Sequence, residues 1–182
     1  MKYLVMCEGP NEKKVIEMLI DAKKLKITRD DLLDRTVFFS RQIRKTPQII
    51  SALKTYNKPV IIWRIGDVLK NENFKIQREF SSIIDLTRIY MFCTKPEIEM
   101  LLIINENLVA GYKRTSSEIK PKDYAKTNVV YNNERYNNAT KFWEKYYSKR
   151  IDILVENILE YKRIKNHKRK DEFYLADLLK MN

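Results

Sequence analysis

The chain has 182 residues, enough for one domain with a substantial core but cramped for two. Hydrophobic residues make up 44% and charged residues 33%, a globular balance that excludes a disordered chain. Lys and Arg total 36 against 24 Asp and Glu; the net charge of +12 points to a polyanion, nucleic acid by default, although a merely solvated lysine-rich surface accounts for it equally well.

Met1-Lys2 leads into the apolar run Tyr3 to Cys7, the pattern of a strand buried on both faces rather than of a signal peptide. Glu8-Gly9-Pro10 ends that run. Pro10 opens a helix whose apolar stripe includes Val15, Ile16, Leu19 and Ile20. Thr36 to Phe39 reads as a second strand. Thr46-Pro47 reads as a cap and first turn of a helix reaching about Thr55. Val60 to Ile65 is a β-branched third strand closed by Gly66-Asp67. Leu86 to Cys93 is a fourth, followed by Thr94-Lys95-Pro96-Glu97 as a cap-and-proline helix start running through Ile104.

Strands alternating with helices predict parallel pairing and a small doubly wound sheet over residues 1–110. Residues 111–182 read as a basic, aromatic-rich helical extension packed on that core. Asn132, Asn133, Asn137 and Asn138 mark turns ahead of a helix from about Ala139. Ile151 to Arg163 is an amphipathic helix, and a last short helix ends the chain. Phe142, Trp143, Tyr146 and Tyr147 have helical spacing and are expected mainly to pack. Lys162 to Lys170 is a basic run, suited to phosphate but also to a solvated surface.

Cys7 and Cys93 each sit in an apolar run, as reduced buried thiols do, neither has a CxxC spacing and His167 is the sole histidine, which argues against a Cys/His zinc site. No apolar run is long enough to span a bilayer. The expected setting is therefore cytoplasmic.

Three strand-to-helix junctions carry acids: Glu8, Asp67, and Glu97 with Glu99. In an open parallel sheet these ends share one edge, where ligands bind. Clustered carboxylates repel unless a cation joins them, and Mg²⁺ or Mn²⁺ suits oxygen ligands. Acids also begin helices because the macrodipole favours them, which would explain Glu12, Glu97 and Glu99 without any site. Gly9 and Gly66 flank the acids and are expected to serve a sharp turn or a close ligand approach.

Cys7-Glu8-Gly9-Pro10-Asn11-Glu12-Lys13 resembles the opening motif of TOPRIM domains, in particular those of OLD-type and RloB-like nucleases. Ile65-Gly66-Asp67 resembles the family's Asp-x-Asp strand end, and Lys95 to Leu102 its later acidic motif. The resemblance implies a Rossmann-like TOPRIM core and Mg²⁺- or Mn²⁺-dependent phosphodiester cleavage, in many relatives as a defence against phage. It implies Glu8, Asp67 and Glu97 as catalytic residues, with Glu8 as general acid/base. The implied metal ligands are Glu8, Glu12, Asp67, Glu97 and Glu99. The sequence departs from the pattern at Leu69, where a second Asp is expected; Asn71 or Glu72 are the substitutes nearby. Lys113, Lys126, Lys162, Arg163, Lys165, Lys168, Arg169 and Lys170 are the expected nucleic-acid contacts. Leu69 keeps a second reading open, that of a non-catalytic module binding nucleic acid or a partner. A protein partner in a defence complex and self-association also stay open.

Overall fold

In the computed structural model, which describes residues 1–67, 74–164 and 172–180, the chain opens with strand β1 (Lys2–Cys7) and helix α1 (Pro10–Asp21). Strand β2 (Leu32–Phe39), helix α2 (Pro47–Tyr56) and strand β3 (Val60–Gly66) follow. Strand β4 (Ile84–Cys93) leads into three short helices, α3 (Met100–Asn105), α4 (Val109–Thr115) and α5 (Pro121–Asn128). A two-stranded hairpin, β5 (Val130–Tyr131) and β6 (Glu134–Arg135), precedes helices α6 (Thr140–Tyr147) and α7 (Ile151–Ile164). Strand β7 (Glu172–Tyr174) and a 3-10 turn at Leu175–Leu178 stand where a terminal helix was expected.

The main sheet has the order β2-β1-β3-β4-β7 with every pair parallel. This is the α/β architecture that alternating strands and helices predict. Its two faces bury two separate clusters. One gathers Val5, Cys7, Trp63, Ile65 and Phe92 with the apolar sides of α1, α3, α6 and α7. The other gathers Leu4, Met6, Ile62 and Phe38 with Ile49 and Leu53 of α2 and with Phe74, Phe80 and Ile83. Alternation along each strand explains the division, since neighbouring side chains leave opposite faces. The stretch beyond residue 111 is part of this construction: it supplies most of α4, all of α5 to α7 and the edge strand β7. Phe142, Trp143, Tyr146 and Tyr147 are fully buried packing residues, each side chain contributing roughly 1.5–3 kcal/mol on burial.

One local signal took a different form from the one expected, and the asparagine turns stand where they were expected. Pro96 does not begin a helix: the Lys95–Pro96 peptide is cis, and α3 starts only at Met100. The Asn-rich stretch forms the tight turn of the β5–β6 hairpin, with Asn132 and Asn133 at φ 49° and 63°. Two successive left-handed residues match the twist of a two-residue hairpin, and asparagine tolerates them. The buried Glu172 on β7 accepts from the Lys95 ammonium at 2.8 and 3.1 Å, tying the edge strand to the end of β4. Among the described residues no helix is long and apolar enough to cross a membrane.

Candidate functional site

The register of the sheet levels the strand ends. Cys7 lies beside Phe39 on one side and Ile65 on the other, and Gly66 lies beside Cys93. Backbone bonds continue one residue further, from Glu8 N–H to the Ile65 carbonyl (2.8 Å), Ser40 N–H to Cys7 (3.0 Å) and Thr94 N–H to Gly66 (3.0 Å). Glu8, Ser40, Asp67 and Thr94 are thereby held at one edge.

A cavity of about 160 Å³ opens there, lined by Glu8, Glu12, Asp67, Glu97 and Glu99 together with Asn11, Arg41 and Asn138. All five acids expected at the site converge on it. A larger cavity of about 730 Å³ lies elsewhere, between β2 and α2, around Leu33, Asp34, Arg35 and Tyr56. It gathers no set of acids, so the chemistry belongs to the smaller one.

Each acid is positioned differently. Glu8 is 6% exposed, and the Arg41 guanidinium donates to it at 2.8 Å. Glu12 sits in the first turn of α1 and folds back over Gly9, where an added Cβ would meet its Oε2 at 2.3 Å. Gly9 itself is extended (φ −126°), so its need for glycine comes from the space Glu12 occupies and not from a tight turn. Glu97 accepts the Lys122 backbone N–H at 2.8 Å and so caps α5, a helix it does not belong to. Glu99 accepts the Tyr136 hydroxyl at 2.7 Å and the Asn11 amide at 3.3 Å. That amide also reaches the Tyr136 oxygen (3.2 Å) and Asn138 (3.1 Å).

Crowding and burial raise these carboxyls. Glu12 is pushed up to about 7, first by burial and then by the charges of Glu99, Asp67 and Glu8. Asp67 is pushed up to about 6 by burial, by the Glu8 charge and by a hydrogen bond with Glu8. Burial also raises Glu99, against the bond from Tyr136, while burial and then the Glu99 charge raise the Tyr136 hydroxyl strongly. Arg64, buried in β3 with its guanidinium 4.2 Å from the Phe74 ring centre, is lowered to about 10 by burial, with Glu8 acting in the opposite sense.

The donor set consists of carboxylate and amide oxygens, the hard ligands that Mg²⁺ and Mn²⁺ take, with no thiolate or imidazole among them. The Asn11 carbonyl oxygen is buried without a hydrogen-bond partner, a costly state that a cation or its water would relieve. Among the described residues no three such side chains already stand as a ready-made metal-binding group. The chemistry of the residues therefore fits a divalent ion, although their present spacing is not that of a closed ligand shell.

Among the expected basic contacts, Lys113 is exposed on α4, while Lys126 pairs with Asp123 (3.1 Å), Lys162 with Asp177 (2.7 Å) and Arg163 with Glu160 (2.8 Å). None of these four lines the acidic cavity. Lys165, Lys168, Arg169 and Lys170 lie outside the described residues, as do Leu69, Asn71 and Glu72. Sequence reasoning missed Arg41, because β2 ends without an acid and drew no notice. It also gave no role to Asn11, which lies inside the opening motif, nor to the distant Tyr136 and Asn138. No family model, curated protein or solved structure matches the chain.

Proposed function

We propose that the protein is a divalent-metal-dependent nuclease, or a related phosphodiester-processing enzyme, built on a TOPRIM-like core. The observation that carries this reading is the convergence of Glu8, Glu12, Asp67, Glu97 and Glu99 on one cavity, beside the partnerless Asn11 oxygen. The similarity of Cys7 to Lys13 to the TOPRIM opening motif agrees with it, and extends the proposal to defence against phage. The net charge of +12 suits a polyanionic substrate.

Glu8, Glu12, Asp67, Glu97 and Glu99 would hold Mg²⁺ or Mn²⁺, with Asn11 facing the same space. When bound, the ion polarises a phosphate oxygen and activates water. Asp67, raised to about 6 beside Glu8, and Glu8 itself would supply the general acid/base function. Arg41, on the rim, meets the phosphate charge. Glu99, fixed by Tyr136 and Asn11, keeps the floor of the site in place.

Cleavage of plasmid DNA and of RNA with Mn²⁺ or Mg²⁺ tests the reading. Glu8→Gln and Asp67→Asn are expected to lower the rate at least a hundredfold. Cleavage by the two variants at the parental rate would end it. One observation favours the alternative, a non-catalytic binding module: the Glu8 carboxylate is engaged by the Arg41 guanidinium at 2.8 Å. Salt-sensitive binding of nucleic acid, unaffected by EDTA and accompanied by no cleavage, would decide for that alternative.

A further inference from the structure

A third cavity, of about 530 Å³, adjoins the acidic one and shares Glu8 and Arg41 with it. Phe39, Ser40, Lys45 and Thr46 also line it. Its volume lies within the roughly 300–1,000 Å³ of ligand-holding clefts. The chemistry on its far side differs from that on the acidic side. Arg41, Arg44 and Lys45 stand within five residues of one loop, all exposed. Glu8 is the only acid in this cavity's wall among the described residues, and Arg41 already engages it. No carboxylate within ion-pair distance of Lys45 is found among the described residues.

Phe39 is 57% exposed, while its neighbour Phe38 points into the core. A single exposed ring is common on protein surfaces. This one closes the strand that leads directly into Arg41, and it borders the same space as the two cations.

The loop is held in shape by its own bonds. The Ser40 hydroxyl donates to the Gln42 carbonyl (2.9 Å), accepts the Gln42 N–H (3.2 Å) and lies 2.6 Å from the Thr46 hydroxyl. A preformed loop loses little freedom when it binds.

From these features we infer a nucleotide subsite on single-stranded nucleic acid: Arg41 and Lys45 hold one phosphate, and the attached base stacks on Phe39. The inference rests on reading this edge as one that meets nucleic-acid phosphate. It adds the substrate class, because a ring can stack only on a base free of its duplex neighbours. Arg41, bonded to Glu8 and facing both cavities, then joins the bound nucleotide to the carboxylates.

The test is metal-free. In EDTA, fluorescence anisotropy would follow labelled dT12, U12 and a 12-base-pair duplex. The wild type is expected to bind the single strands more tightly. Phe39→Ala should weaken single-strand binding about tenfold and leave duplex binding unchanged, and Phe39→Trp should restore it. Arg41→Ala with Lys45→Ala should reduce the salt slope of single-strand binding by about 0.7, the loss of one phosphate contact. All three positions are exposed, and thermal unfolding checks that the variants fold. Parental binding by Phe39→Ala and by the double variant would overturn the subsite and leave the proposed enzyme standing. Weakened binding without metal-dependent cleavage by the wild type would keep the subsite and remove the enzyme. Absence of any binding by the wild type would remove both. Comparison of dT12 with U12 separates DNA from RNA.

Discussion

Glu12 holds its proton to about pH 7, against an ordinary value of 4.5. The folded chain therefore binds that proton more tightly than the unfolded chain. The associated stability is complete below about pH 4.5 and is lost as pH rises to about 7, a swing on the order of 3 kcal/mol. Glu12→Gln is expected to raise the Tm at pH 8 relative to the parent and leave it nearly unchanged at pH 4.5. Equal Tm differences at both pH values would show that Glu12 does not titrate in this way. Gly9 belongs to the same local arrangement. Gly9→Ala should displace the Glu12 carboxylate and cost about 1–3 kcal/mol, because Ala fits the backbone but not the space. In a Glu12→Ala background the same change should cost almost nothing, and that non-additivity is the measurement.

Among the elements, α5 depends on a residue from outside its own sequence. Glu97 caps it through the Lys122 N–H, so Glu97→Ala should lower stability by about 1 kcal/mol. Glu97→Gln keeps an acceptor oxygen and should remain close to parental stability while losing metal-dependent cleavage. Equal unfolding of the two variants would show that the bond to Lys122 adds no stability, and parental cleavage by Glu97→Gln would show that the carboxylate has no role beyond the cap. This double duty was hidden in the sequence. Glu97 looked like the first turn of its own helix, and nothing local connects it to Lys122. The strands were legible because apolar runs such as Tyr3 to Cys7 and Val60 to Ile65 admit few alternatives. Glu8 and Asp67 were legible because they close such runs. Pro96 misled because proline marks a turn as readily as a helix start. Arg41 was invisible for a different reason. Its importance arises from sheet register, which sets β2 beside β1, and no short-range pattern encodes that neighbour.

At the scale of the molecule, five acids around one small cavity constitute a repulsion that folding has to overcome. A divalent ion should convert that liability into stability. Saturating Mn²⁺, at 100 times its Kd, would stabilise the fold by about 2.7 kcal/mol. The rise in Tm should be larger at pH 8 than at pH 5, since Glu12 and Asp67 must release protons before they can bind metal. An equal rise in a Glu8→Gln, Asp67→Asn variant would locate the ion elsewhere.

The same cavity draws on residues far apart along the chain, from Glu8 to Asn138. During synthesis the N-terminal strand leaves the ribosome first. At roughly 5–20 residues per second, its acidic end waits on the order of 10 s for the Tyr136–Asn138 segment that fixes Glu99 and Asn11. A half-made chain thus carries the leading carboxylates without the polar floor that orients their partners. The phosphodiester chemistry proposed for this cavity would in this way be deferred until the Tyr136–Asn138 segment has emerged, a consequence of chain order alone.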